Sequence, residues 1–392
     1  MRVFYSFGGR FGRTGIGETA WQQVCGLAAA GCRVTVACGS CERPVPPAVE
    51  MVETFRPAGF KIPYRVLGID LMYGIHDRIV SRMLARRAGQ FDVVHCWPLA
   101  AEQTLRRARR IGIPSFLERP NTHSGYAIEV VAAEARRIGL HVDEENSHRL
   151  RPGRLAREIR EYESADWIMC PSDFVASTFV KRGFPASKIL RHQYGFDPQR
   201  FFQQSGAVRA LSESDVVEFI FAGRCEPRKG LHHLLHAWER ARVGRRARLR
   251  IVGKYVDGYR EKMPELLRAE SVVECGFVSD VERLMRDSHV LVLPSIEEGS
   301  ALVTYEAMAS GCALLVSDAT GAPVVHGQSG LVHPVGDVAR LAAQIADVVK
   351  VPELLLSLRT GALNESARLT WSDAAVRLRG CYEAAAARVR AV

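Results

Sequence analysis

The sequence predicts an α/β protein built from two doubly wound parallel sheets, and three observations carry that prediction. Short apolar runs alternate with amphipathic ones along the chain, the alternation restarts after a polar stretch near the middle, and 392 residues exceed what one hydrophobic core organises. Arg2–Phe7 reads as a first strand, followed by a Gly-rich loop and a helix over Glu18–Ala30. Cys32–Ala37, Phe91–Cys96, Ile113–Glu118 and Ile168–Cys170 read as further strands, the last leading into a capped turn at Pro171–Phe174. The polar, irregular stretch Asp197–Asp215 reads as a linker. A second series then runs through Val216–Ala222, a helix over Leu231–Ala241, Arg248–Val252, Val272–Cys275, Val290–Leu293, Ala313–Val316 and Leu331–His333. The expected domains are 1–197 and 198–371, with the helical tail 372–392 returning to the first. Two such sheets facing each other leave a cleft for ligands.

Composition narrows the class. Hydrophobic residues make up 47% of the chain, which suits a globular protein. No apolar run approaches the roughly 18 residues of a membrane span, and a strand at Met1–Phe7 leaves no signal-peptide architecture, so a cytoplasmic protein is expected. The ten cysteines are scattered and read as reduced thiols. Cys38-Gly-Ser-Cys41 is one close pair with no second pair to complete a metal site. Charge is uneven: residues 1–200 hold 29 Lys+Arg against 20 Asp+Glu, whereas residues 201–392 hold 24 against 23. Arg82–Arg87 and Arg106–Arg110 lie in helical patterns, which read either as a solvated face or as a surface for anionic lipid or a phosphorylated acceptor. No nucleic-acid-binding motif or aromatic platform accompanies the charge, so nucleic acid is not an expected partner.

Two motifs carry chemistry. In Phe221-Ala-Gly-Arg-Cys-Glu-Pro-Arg-Lys-Gly230 a strand, a Gly-containing loop and a helix start form an anion site, with Arg224 to fork onto phosphate oxygens and Lys229 to add a point charge. In Pro294-Ser-Ile-Glu-Glu-Gly-Ser-Ala-Leu-Val-Thr-Tyr-Glu306 a strand ends before Glu298, a helix is expected to begin near Ser300 or Ala301, and Glu306 lies inside it. Free backbone N–H groups near Ser300 and Ala301 are expected to offer another anion contact. A loop carboxylate and a helix carboxylate suit separate hydroxyl partners better than a glycosidase pair flanking one bond. The plain alternatives are a solvent-facing Arg and Lys and two ordinary helix-end glutamates.

In this order and spacing, Gly223-Arg-x4-Lys-Gly230, Gly276-Phe-Val-Ser-Asp280, the Glu298/Glu306 pair with Glu-Ala-Met-Ala-x-Gly311, and Gly330-Leu-Val resemble glycosyltransferase family 4, the retaining GT-B transferases. The resemblance covers roughly residues 170–375. It implies a GT-B fold of two Rossmann-like domains and a metal-independent, cofactor-free transfer of a sugar from a nucleoside diphosphate sugar to a glycan or lipid-linked acceptor, by front-face attack. It implies that Arg224 and Lys229 bind the diphosphate, Glu298 the donor sugar and Glu306 the ribose, with the base at the backbone of Val278. Gly223, Gly299, Ser300, Ala301 and Leu302 are expected to line the donor site. The first half matches more loosely. Gly15 and Gly17 occupy the place of the family's Gly-rich loop, and His123 that of its cleft histidine, which contacts the donor sugar. Ser300-Ala301 replaces the family's frequent aromatic–Gly, and Val324 stands where a Glu is common. An envelope or exopolysaccharide role at the inner face of a bacterial membrane follows by analogy alone.

Two other patterns point elsewhere. Gly15-Ile-Gly17-Glu-Thr-Ala20 fits a dinucleotide fingerprint, giving an NAD-dependent oxidoreductase as the alternative, but the second strand ends at Val36-Ala-Cys38 without the acidic residue that would hold a ribose. A non-catalytic nucleotide-sugar binder is the other alternative. His232 and His236 are i,i+4 neighbours without an evident third ligand, so no metal is expected.

Overall fold

The computed structural model describes residues 1–56, 68–140, 148–204, 208–212 and 214–390. Of the expected linker, positions 205–207 and 213 lie outside this set, as do the last two residues of the expected tail.

The chain opens with β1 (Arg2–Phe11), α1 (Ile16–Ala29), β2 (Arg33–Cys41), β3 (Val49–Glu53), α2 (Ile69–Arg86), β4 (Val93–Cys96), α3 (Glu102–Arg110) and β5 (Ser115–Glu118). It continues with α4 (Ser124–Arg137), α5 (Pro152–Ser164), β6 (Trp167–Cys170), α6 (Asp173–Val180) and β7 (Ile189–Arg191). The second series is β8 (Val217–Ala222), α7 (Leu231–Ala241), β9 (Ala247–Val252), α8 (Pro264–Leu267), β10 (Val272–Gly276), α9 (Val281–Arg286), β11 (Val290–Leu293) and α10 (Leu302–Ala309). β12 (Ala313–Ser317), β13 (Gly330–His333), α11 (Val338–Lys350), α12 (Pro352–Ser366) and α13 (Trp371–Arg390) complete it.

Two compact units result. The first comprises Met1–Ser124, Leu150–Tyr194 and Trp371–Val392; the second comprises Gly125–Arg149 and Gly195–Thr370. The expectation of 1–197 as one body is therefore corrected for Gly125–Arg149, which groups with the second unit. The reason is local: Glu134 of α4 is bonded to His232 and His233 of α7.

The first unit is a seven-stranded parallel sheet in the order β3-β2-β1-β4-β5-β6-β7, and the second a six-stranded parallel sheet in the order β10-β9-β8-β11-β12-β13. β4, β5, β6, β11 and β12 are buried at every residue, as expected of strands covered on both faces. The order reverses between β1 and β4 in one sheet and between β8 and β11 in the other, where ligands of such sheets bind at the carboxyl ends.

Several sequence boundaries move for identifiable reasons. β1 runs through Gly8, Gly9 and Arg10 to Phe11 with a register break between Phe7 and Arg10, so half of the expected glycine loop is strand. A Cβ on Gly8 would lie 2.6 Å from Ala100 Cβ, and one on Gly39 2.7 Å from the Gly9 carbonyl, so these glycines permit close strand packing. β2 extends past Ala37 to Cys41, and Glu42, just beyond it, is ion-paired with Arg10. The edge strands β3 and β7 have no clear apolar signature in the sequence. All ten cysteines are free, with Cys38 and Cys41 both on β2. The Ser172 cap forms as the sequence indicates, its hydroxyl accepting from Val175 N–H at 3.2 Å.

A buried polar network ties α13 to the first sheet. Glu118 accepts from Tyr194 Oη at 2.8 Å and from Gln23 Nε2 at 3.1 Å, with His192 Nε2 2.8 Å away. Burial alone would raise the Glu118 pKa; the neighbouring His192 and His95 outweigh it and hold the group ionised. Tyr382 of α13 shares a 2.7 Å hydrogen bond with His95 Nδ1. Replacing Tyr382 by Phe should leave that nitrogen unpaired in the core and cost about 1–3 kcal/mol in urea unfolding at unchanged m-value. An unchanged midpoint would show that the bond contributes nothing net.

Candidate functional site

β8 and β11 are adjacent, parallel and at the reversal point of the second sheet, so the loops leaving their carboxyl ends emerge side by side. The first loop carries Gly223 to Gly230 and passes through a short 3-10 turn, Pro227–Lys229, into α7. The second carries Pro294 to Ala301 into α10.

Backbone contacts fix the two loops to each other. Ile296 N–H donates to the Arg228 carbonyl at 2.8 Å. Gly230 is left-handed (φ 70°), and a Cβ there would sit 2.0 Å from the Pro294 carbonyl oxygen. Gly253 (φ 156°) has its Cβ position 1.8 Å from the Gly223 carbonyl oxygen, so only glycine fits either position.

A charge cluster fills this junction. Glu298, 8% exposed, is ion-paired with Lys229 Nζ and lies 3.1 Å from Arg228 Nη1. Arg228 also reaches Glu226 at 3.1 Å and Glu297 at 3.4 Å, and donates to the Glu297 carbonyl at 3.0 Å. His148 Nε2 lies 3.5 Å from Glu297. Burial alone would raise the Glu298 pKa, but Arg228 and Lys229 outweigh it and bring it down to about 2. Burial likewise works against the Arg228 guanidinium, and Glu298, Glu297 and Glu226 overcome it and raise its pKa. At neutral pH the junction therefore holds an ionised carboxylate between two cations. An ionised carboxylate only accepts hydrogen bonds, so any further partner of Glu298 must be a donor such as a hydroxyl.

The structure brings Lys229 and Glu298 together but treats Arg224 differently. The Arg224 side chain is 63% exposed, with Glu226 at 4.0 Å. Arg228, which the sequence reading passed over, is the inner cation, although its adjacency to Lys229 in Pro-Arg-Lys-Gly was a visible signal. Glu297 was equally visible as the neighbour of Glu298. Glu306 lies half-buried on α10.

The helix begins at Leu302 with Ala301 as its cap, later than expected, and the expected free N–H at Ala301 is corrected: it donates to the Thr320 carbonyl at 3.4 Å. The Ser300 hydroxyl is engaged with Tyr305 Oη at 2.8 Å and the Gly321 carbonyl at 3.1 Å. Gly299 is buried. Val278, half-buried, follows β10 next to Phe277, which is 69% exposed beneath Lys254 Nζ at 5.3 Å from its ring centre.

In the first unit Gly15 (φ 94°) is exposed with open space at its Cβ position, and its carbonyl accepts from Glu18 and Thr19 at the start of α1. Gly17 is different: a Cβ there would lie 2.3 Å from the Arg10 carbonyl, so it serves packing. His123 follows β5 but is only 5% exposed, its ring 5.3 Å from both Tyr162 and Phe179 and its N–H donating to Thr178 Oγ1 at 3.0 Å. The His123 ring thus packs among aromatic side chains of the first unit. His236, expected as half of an i,i+4 pair, is exposed, whereas His232 and His233 are buried together against Glu134.

The profile of the "Glycosyl transferases group 1" family matches residues 217–350, and that of the "Glycosyl transferase 4-like domain" matches residues 14–195. The chain is 32% identical over 334 residues to an MMP alpha-(1->4)-mannosyltransferase of Mycolicibacterium hassiacum, covering 79% of this chain and 75% of that one. Its fold is similar to that of a sucrose-phosphate synthase of Thermosynechococcus elongatus, with TM-score 0.67, 18% identity and coverage of 98% of each chain. It is also similar to Anabaena Alr3699/HepE, solved in complex with UDP, with TM-score 0.65 and 15% identity over 98% of this chain and 100% of that one.

Because the folded Glu298 pKa, about 2, lies below its ordinary 4.5, its stabilising contribution is complete above pH 4.5 and is lost as pH falls through about 2. Glu298→Gln should therefore lower stability by roughly 3 kcal/mol at pH 7, where Lys229 loses its ion-pair partner and Arg228 one of three. The gap to wild type should close between these two pH values in denaturant titrations. A pH-independent difference would mean that the carboxylate's charge is not what stabilises the junction.

Proposed function

The chain belongs to the group 1 glycosyltransferases and is a glycosyltransferase of GT-B fold, and from that premise we propose that it is a metal-independent, retaining enzyme using a nucleoside diphosphate hexose. The observation that carries this reading is the ionised Glu298 held between Arg228 and Lys229 where β8 and β11 end. Arg224, exposed, forks onto the diphosphate and Lys229 shares it, so that negative charge developing on the departing group meets cations. Glu298 accepts from hydroxyls of the transferred sugar. Glu306 takes the ribose hydroxyls, and the backbone at Val278 the base. Gly223 and the segment Gly299, Ser300, Ala301 and Leu302 line the donor.

In the transfer step the acceptor oxygen bonds to the anomeric carbon on the face the diphosphate leaves. The bond from that carbon to the diphosphate oxygen breaks, and the acceptor proton passes to a departing phosphate oxygen. Binding of UDP by one structural neighbour supports the nucleotide. The acceptor we propose is a glycan or lipid-linked sugar. Among the described residues no helix is long and apolar enough to cross a membrane. Exposed Arg82, Arg86, Arg106 and Arg110 of α2 and α3 offer an anionic membrane surface a peripheral contact.

Saturation with the correct nucleoside diphosphate at about 100 times its Kd should add roughly 2.7 kcal/mol of stability. In a melting panel of UDP, GDP, ADP, CDP and NAD, one nucleoside diphosphate should shift the midpoint equally with and without EDTA, and Glu306→Ala should abolish the shift. A response to NAD alone would replace this reading with a dehydrogenase. Lys229→Ala should lower turnover about 10²–10³-fold with the fold intact. Wild-type turnover in that variant, or an inverted anomer in the product's NMR spectrum, would refute the corresponding assignment.

A further inference from the structure

Behind the charged loop, the second unit contains a cluster that the transfer chemistry does not use. Glu134 of α4 and the consecutive His232 and His233 in the first turn of α7 place one ligand atom each within 4.8 Å of one another. His232 Nε2 is 2.6 Å and His233 Nε2 2.9 Å from the same carboxylate oxygen, Glu134 Oε1. The two rings lie 4.1 Å apart, and all three residues are at most 8% exposed.

The surroundings are those of a supported ligand set. The outer nitrogen of His232, Nδ1, is 2.7 Å from Tyr259 Oη, which holds the ring in place. Buried His333 donates through Nδ1 to Gln344 Oε1 at 3.0 Å, leaving its Nε2 without a hydrogen-bond partner among the described residues, in the electrostatic field of His233. Arg137 approaches Glu134 only to 3.8 Å and is 62% exposed, so it is free to swing away.

We propose that Glu134, His232 and His233 form a binding site for a divalent transition ion of the zinc class, distinct from the donor site. Two imidazole nitrogens and one carboxylate oxygen suit Zn2+ or Co2+ over Mg2+ or Ca2+, and three protein ligands leave a fourth position open. Ligand atoms around a tetrahedral ion with bonds of about 2.0–2.1 Å lie roughly 3.3 Å apart. The trio therefore needs to open by less than about 1 Å. Both histidines give up the Nε2 proton that faces Glu134 and take one at Nδ1, which at His232 is accepted by Tyr259 Oη, so neither ring releases a net proton. An ion here clamps α4 to α7, the helix that begins directly after Lys229-Gly230, without joining the transfer step.

The test is a cobalt titration of the full chain after EDTA treatment and dialysis, read by absorption. A single equivalent of Co2+ should produce the intense visible d–d bands of a tetrahedral site, displaced by Zn2+ and unaffected by excess Mg2+. Glu134→Gln, which keeps a hydrogen-bond acceptor but loses the charge, and His233→Ala should weaken binding by more than the roughly 10–100-fold that loss of an outer-shell partner causes. Tyr259→Phe should fall within that range, and exposed His236→Ala should match wild type. Circular dichroism reports folding, and Glu134→Gln carries the test if His233→Ala does not fold. No d–d bands in wild type, equal binding in Glu134→Gln, or a thiolate charge-transfer band from one of the ten free cysteines overturns the proposal. The readout is spectroscopic, so it stands or falls independently of the donor assignment.

Discussion

Burying charge is costly unless every charge finds a partner, and the junction between the β8 and β11 loops is organised around that constraint. Glu226, Glu297 and Glu298 lie at or below 8% exposure, and Arg228 and Lys229 show little more of their side chains. None of the three carboxylates is tolerable there without the cations. The loops are thus held together by electrostatic necessity as well as by sheet geometry, and a ligand entering the junction meets charges whose positions are already fixed. Such preorganisation lets a fixed cation act on developing negative charge without a reorganisation cost at the moment of reaction.

Close backbone approach reinforces the same constraint. Gly230 against Pro294 and Gly253 against Gly223 bring loop backbones to distances that exclude any side chain. The positions of Lys229 and Glu298 follow from these contacts before their own attraction is counted. Arg224 is the exposed cation of the group, with its side chain 63% exposed.

In the first unit the organising feature is another buried carboxylate. Glu118 gathers Tyr194, Gln23, His192 and His95, and through His95 it reaches Tyr382 at the far end of the chain. This network links β4, β5 and α13 around one buried charge, which the imidazoles of His192 and His95 face. It explains how a C-terminal helix comes to complete a sheet that begins at residue 2.

The sequence by itself determined the alternation of strands and helices, the two parallel sheets, the Lys229 and Glu298 loops and the family resemblance. These rest on local periodicity and on residue types that must follow a strand end directly. Tertiary structure decided what depends on distant approach. Arg228 became the inner cation and Arg224 the outer one because a 3-10 turn, unreadable from spacing, set their directions. His123 went into an aromatic enclosure, Ala301 spent its N–H on Thr320, and β1 ran through glycines that read as a loop, each because a partner far along the chain occupied the space. The pairing of His232 and His233 with Glu134, nearly a hundred residues upstream, has the same origin: periodicity reports which face a residue takes, but only packing decides what that face meets.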